Sequence, residues 1–261
     1  MRRLNGDQVA SYHRDGYVVA RRLIGAEDVA ALRQACEAIW QRCAGGEAAQ
    51  NSHFQGVRKM ATIRDPQLHS AVFTRYLLDP RLTEAMAQLV GDNVQLHHSK
   101  VNVKTKDMKT VFPLHQDYPY FPHTRHTVMT VLVHITDAPV DGGAFRVLAG
   151  VKEALPHLND DGHILDPRQY PLESAEELPA QAGDVVFMNY LTPHGSNLNR
   201  RDEHRILWII QVRNAEDLPI EQPTDAHQQL TLPGNRPSQG TMLHGVNPDF
   251  QRAATGESSR L

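Results

Sequence analysis

His115-Gln116-Asp117 sets an imidazole and a carboxylate two residues apart, and a distant second imidazole, His194, sits between Pro193 and Gly195. Two histidines and one carboxylate are the ligand set of a facial iron(II) site. Such a site holds the ion on one face and leaves the other open for a co-substrate and oxygen. On an extended segment residues i and i+2 share a face, so His115 and Asp117 can reach one ion while Gln116 points away. The third ligand must come from elsewhere, because three adjacent residues cannot surround a face. Pro193 fixes the chain direction beside His194, and Gly195 permits close backbone approach. Imidazole and carboxylate suit a first-row divalent ion, and the lack of cysteine ligands argues against a closed structural zinc site.

An H-x-D fragment often arises by chance, so the weight falls on what accompanies it. Arg205 opens Arg205-Ile-Leu-Trp-Ile-Ile210, a run apolar on both faces and therefore expected to be buried. A guanidinium in that setting needs an anionic partner, and its paired donors match a carboxylate lying across the metal. Arg200 and Arg201, in a polar Asn-Arg-Arg-Asp-Glu loop, read as solvated. After the first two ligands come Tyr118, Tyr120, Phe121, His123 and Arg125. Tyr118, Phe121 and His123 are the candidates for a substrate wall, against the plainer reading of a loop at a sheet edge. His97 and His98 read as ordinary strand residues.

These groups need a rigid frame. Residues 5–15 predict a short amphipathic helix ended by Gly16, followed by a strand at Tyr17–Ala20. Val29, Leu32, Cys36, Ile39, Trp40 and Cys43 recur at helical steps and predict a helix packed on a sheet, stopped by Gly45-Gly46. Gly45 to Gln55 reads as loop, and 66–91 as helical with a restart at Asp79-Pro80. Beyond residue 93 the pattern changes to strands at Val94–Lys104, Thr127–Ile135, Ala144–Leu148, Val185–Met188 and Arg205–Val212, parted by Gly, Pro and Asp turns. The expected architecture is one mainly β domain over 1–261. Residues 1–92 form a helical buttress, 93–213 a double-stranded β-helix (jelly-roll) core, and 214–261 a flap or tail.

Composition narrows the class. With 261 residues, 40% apolar and 22% charged, the chain is an ordinary globular protein. A net charge of -3 without long runs of one sign gives no footprint for nucleic acid or an anionic membrane. No apolar run nears the roughly 18 residues of a membrane span, and no apolar segment follows the N-terminal arginines. Cys36 and Cys43 lie two helical turns apart, too far to bridge, and read as reduced thiols of a cytoplasmic protein. Nothing in the sequence sets an oligomeric state.

His115-Gln-Asp117, Tyr120-Phe-Pro122, His194-Gly-Ser196, Asn199 and Arg205, with the opening Asp15-Gly16-Tyr17-Val18-Val19, resemble the motifs of the phytanoyl-CoA dioxygenase family. The resemblance runs, with gaps, from about Asp15 through Val212. It implies a jelly-roll oxygenase that uses Fe(II), 2-oxoglutarate and O2 to hydroxylate a small-molecule substrate. It further implies that Arg205 binds the C5 carboxylate of 2-oxoglutarate with Ser196 nearby, and that Lys100 contacts the co-substrate. A solvated strand lysine is the competing reading for Lys100. Where relatives carry Pro-Gly-Ser-His, this chain has Leu148-Ala149-Gly150-Val151-Lys152, so acyl-CoA substrates do not carry over. Halogenating relatives replace the carboxylate ligand with a small residue; Asp117 favours hydroxylation. Desaturation, epoxidation or cyclisation, action on a protein side chain, and a non-catalytic metal-binding jelly roll are the alternatives.

Overall fold

The last long strand, Arg205–Asn214, organises the molecule because nearly all of it is buried and its two faces serve different layers. In the computed structural model, which describes residues 4–43, 61–106, 111–158, 163–220 and 230–233, this strand (β10) lies inside a six-stranded antiparallel sheet. The sheet order is β1(Tyr17–Ala20), β8(Val185–Asn189), β5(Met129–His134), β10, β3(Val94–Lys104) and β2(Ala61–Arg64). A second sheet has the order β4(Phe112–His115), β9(His194–Ser196), β6(Phe145–Val147) and β7(Glu176–Leu178). Together they form the jelly roll.

Strand alternation assigns the faces. Ile206, Trp208, Ile210 and Val212 enter the large core under the helices, whereas Leu207 and Ile209 enter a smaller core with Leu132, Phe145, Val147 and Leu178. Arg205 and Gln211 share the second face and border the interior cavity. The helices α1(Gly6–Asp15), α2(Ala26–Cys43), α3(Pro66–His69), α4(Ala71–Leu77) and α5(Pro80–Val90) cover the outer face of the large sheet. Asn5 and Gln8 cap α1 reciprocally, and Asp79 caps α5 ahead of Pro80, at the restart expected there.

Two expectations change in detail. Residues 61–64 form a strand, β2, which pairs with β3, so the N-terminal third adds two strands to the core sheet as well as helices. Trp40 is 39% exposed, because the buried stripe of α2 runs through Val29, Leu32, Cys36 and Ile39 and leaves Trp40 one step around the helix. Leu230 and Leu232 exchange backbone bonds with Leu96 and Val94, so part of the C-terminal region lies against the end of β3. The expected loop at 45–55, the Gly45-Gly46 stop, the Cys43 side chain and most of the expected tail lie outside the described residues. Among the described residues no helix is long and apolar enough to cross a membrane.

The N-terminal Asp15-Gly16 motif acts on the site directly. Gly16 ends α1 at φ 85°, and a Cβ there would stand 2.3 Å from Thr192 Oγ1. Thr192 Oγ1 and the Asn189 amide both donate to the Gly16 carbonyl, which fixes the turn leading into His194.

Candidate metal centre

Antiparallel pairing of β4 with β9 sets His115 directly opposite His194, with ring centroids 4.3 Å apart. The register slips between Phe112 and His115, where Pro113 has no N–H to give the ladder. A Cβ on Gly195 would lie 2.5 Å from the Phe112 carbonyl oxygen, so the glycine allows this approach. Asp117 does not reach the site by strand alternation, as i, i+2 spacing predicts. The strand ends at His115, and Asp117 turns into a helical conformation (φ -75°, ψ -18°) ahead of a 3-10 turn at Tyr118–Tyr120. The ligand atoms of His115, Asp117 and His194 all lie within 4.8 Å of one another. Gln116 does point away: it is fully buried, bonding the Glu153 and Leu191 carbonyls and the Leu155 amide.

The protonation chemistry fits a divalent metal. His115 Nδ1 lies 3.0 Å from the Pro113 carbonyl and His194 Nδ1 lies 3.0 Å from the Thr192 carbonyl. With Nδ1–H donating to these carbonyls, each ring presents Nε2 as a ligand. Burial, reinforced by the neighbouring His194, pushes the His115 imidazole down and so keeps it neutral. Burial alone would raise the Asp117 carboxyl, but His194, His115 and Lys100 together hold it below the usual carboxylate range. A neutral His115 imidazole and an ionised Asp117 carboxylate suit a ferrous ion.

The triad borders a cavity of about 100 Å³ that also receives Lys100, Asn102, Ser196 and Arg205. Arg205 is 3% exposed, donates from Nη1 to the Gly143 carbonyl at 2.6 Å, and lies 5.1 Å over the Phe145 ring. Its Nε has no partner, and no carboxylate among the described residues pairs with it. Desolvation pulls its pKa down to about 10. Directly across the strand pair stands Lys104, wholly buried, with Nζ donating to Ser196 Oγ at 2.9 Å and to the Asn197 carbonyl. Burial, with Arg205 adding repulsion, pushes the Lys104 ammonium down to about 6. Arg205 lines the cavity and Lys104 stands behind its Ser196 wall; a buried guanidinium for which the described residues offer no acid makes an anion site.

A match to the family model described as phytanoyl-CoA dioxygenase (PhyH) extends over residues 12–207. The chain belongs to the phytanoyl-CoA dioxygenase family. It is thereby an Fe(II)- and 2-oxoglutarate-dependent dioxygenase. The probable alpha-ketoglutarate-dependent hypophosphite dioxygenase of Stutzerimonas stutzeri is 24% identical over 237 residues, 82% of this chain and 80% of that protein. The ectoine dioxygenase of Bordetella bronchiseptica is 27% identical over 222 residues, 75% of this chain and 71% of its own length. Among solved structures, the non-heme alpha ketoglutarate dependent carbocyclase SnoK from nogalamycin biosynthesis superposes with a TM-score of 0.72 at 22% identity. The match covers 91% of this chain and 95% of that one, a likeness of fold.

In this dioxygenase the other anticipated site residues fall into two groups. Lys100 lines the cavity within electrostatic reach of Asp117, and burial lowers its pKa. Tyr118, Phe121 and His123 do not border the small cavity; they belong to an aromatic layer beyond it. Tyr118 packs on Tyr190, Phe121 lies 4.7 Å from the His97 ring, and His123 is buried with Nδ1 on the Phe121 carbonyl. The sequence reading missed Lys104, Thr130 and Gln211. Thr130 and Gln211 are polar residues inside otherwise apolar strands, where a buried polar group calls for a partner, whereas Lys104 closes the mixed strand β3.

Proposed function

We propose that this dioxygenase hydroxylates an unactivated C–H bond of a small polar molecule, releasing succinate and CO2 from 2-oxoglutarate. His115, Asp117 and His194 hold the iron in this reading. Arg205, with Ser196 and Lys104, holds the far carboxylate of 2-oxoglutarate, while Lys100 adds positive charge on the triad side of the same cavity. The observation that carries it is the convergence of the three ligand atoms within 4.8 Å of one another, at a cavity that also receives a buried guanidinium for which the described residues offer no carboxylate.

Iron bound with 2-oxoglutarate and O2 supplies the oxidising power for attack on a C–H bond. The chain's own residues orient and exclude water. Arg205 and Lys104 give the distal carboxylate charge-assisted bonds in a dry site. Phe121 and Tyr118 form the outer wall of the substrate space, and His123 buttresses the loop behind Phe121 through its bond to the Phe121 carbonyl. Which C–H bond reacts follows from how that wall orients the substrate. Relatives named for ectoine and hypophosphite support a compact polar substrate. Retention of Asp117 supports hydroxylation over halogenation. The buried free thiol of Cys36 is in keeping with a reducing, cytoplasmic setting.

The test is 2-oxoglutarate-dependent succinate release by the wild type, His115→Ala and Asp117→Ala, with bound iron measured in each. Both substitutions should remove iron and succinate release together. Undiminished turnover in both variants would rule out the triad as the reacting centre.

A further inference from the structure

Two donors converge on one oxygen of Asp117. Thr130 Oγ1 donates to Oδ2 at 2.8 Å, and Gln211 Nε2 donates to the same Oδ2 at 2.9 Å. Gln211 Nε2 also lies 3.0 Å from Thr130 Oγ1, closing a triangle. Thr130 and Gln211 are direct cross-strand partners on β5 and β10, so the large sheet's register builds the clamp. The other carboxylate oxygen, Oδ1, stands 3.9 Å from His194 Nε2, on the ligand side.

The triangle fixes the Gln211 amide, because reversing it would set a carbonyl oxygen against a carboxylate. That orientation leaves Gln211 Oε1 buried without a hydrogen-bond partner. A buried acceptor without a donor is costly, and such orphans concentrate where function requires the other end of the group. A leucine would fill the position in this otherwise apolar strand at no such cost. The glutamine is therefore explained by what its nitrogen does.

We propose that Thr130 and Gln211 are positioning residues that hold Asp117 as a one-oxygen metal ligand. With Oδ2 engaged by two donors, Oδ1 alone is available to the ion, which keeps the remaining positions open for a chelating 2-oxo acid and oxygen. A carboxylate free to swing would occupy one of them. The inference rests on the triad as the iron site, and it adds the residues that set how that site's acid binds.

The experiment is a Mn(II) titration of the full chain, followed by electron paramagnetic resonance, on wild type, Thr130→Val, Thr130→Ser, Gln211→Leu and the double variant Thr130→Val/Gln211→Leu. Circular dichroism establishes that each is folded. Loss of either donor should weaken Mn(II) binding about 10-fold and loss of both about 100-fold, the range for partners of a metal ligand. Thr130→Ser keeps the hydroxyl and should bind as the wild type does. The anaerobic Fe(II)–2-oxoglutarate visible band should change position or strength in Thr130→Val and not in Thr130→Ser. Unchanged Mn(II) affinity and band in folded Thr130→Val would overturn the clamp, as would equal losses in Thr130→Ser and Thr130→Val. Should Gln211→Leu not fold, the Thr130 pair decides. A wild type that binds Mn(II) yet yields no succinate would count against the oxygenase reading and leave the clamp measurable.

Discussion

Arg205 and Lys104 face each other across β10 and β3 with no acid between them, an arrangement that costs stability until an anion arrives. Arg205→Ala should raise the KM for 2-oxoglutarate about 10- to 100-fold with a smaller effect on kcat, since a charge-assisted hydrogen bond contributes about 1.5–3 kcal/mol. An unchanged KM would assign the distal carboxylate to another residue. Lys104 gives a pH signature. Its pKa falls from 10.5 in the unfolded chain to about 6 in the fold. Between those values the unfolded state holds a proton that the folded state has released, so ligand-free stability should rise with pH across that window. Urea midpoints measured from pH 6 to pH 9 should therefore climb in the wild type and stay flatter in Lys104→Met. Because a carboxylate prefers the charged ammonium, 2-oxoglutarate affinity should fall over the same interval. Arg205 was legible in the sequence because an arginine opening an apolar strand demands an anion. Lys104 was not, because a lysine at a strand end resembles any solvated lysine until its neighbours are known.

At the scale of elements, two very short strands carry the histidines. Phe112–His115 contains a proline and His194–Ser196 has three residues, so neither shows a strand pattern of its own. Their pairing comes from partners far along the chain, which is why His194 reads as part of a turn in the sequence. The strands β5, β8 and β10 were legible because β-branched and apolar runs bounded by turn residues identify them, and β3 through an alternation that is only partly apolar. The same limit applies to Asp117, whose turn conformation the i, i+2 spacing does not reveal. Gly195→Ala tests this element directly. Its Cβ would meet the Phe112 carbonyl oxygen at 2.5 Å and the Leu172 side chain at 2.7 Å, forcing β4 from β9. The expected outcome is a loss of about 1–3 kcal/mol together with weaker metal binding, read by thermal denaturation and Mn(II) titration. Wild-type metal affinity in this variant would show that the strand pairing does not set the distance between the histidines.

For the whole molecule, the six-stranded sheet separates stability from chemistry, with helices and the large core on one face and the site on the other. Trp208 is fully buried on the helix side, in edge-to-face contact with Phe73 at 5.1 Å and 3.4 Å from Ser99 Oγ. Trp208→Ala should cost about 3–5 kcal/mol of folding stability, typical of a buried aromatic truncated to alanine. Molecules that remain folded should keep their affinity for 2-oxoglutarate, because Leu207 and Ile209, not Trp208, face the smaller core. Denaturant midpoints and co-substrate binding on one preparation would separate the two effects. The jelly-roll core was legible from the run of apolar strands. The contribution of the N-terminal third was only partly so, since β2 takes its place in the sheet by pairing with β3.

The most direct test of the central claim is an anaerobic titration of the wild-type chain with Fe(II) and 2-oxoglutarate, watching the weak visible charge-transfer band of the chelate. The account predicts a band that saturates at one iron and one 2-oxoglutarate per chain and is absent in Asp117→Ala. No band in the wild type, or an undiminished band in Asp117→Ala, would contradict it.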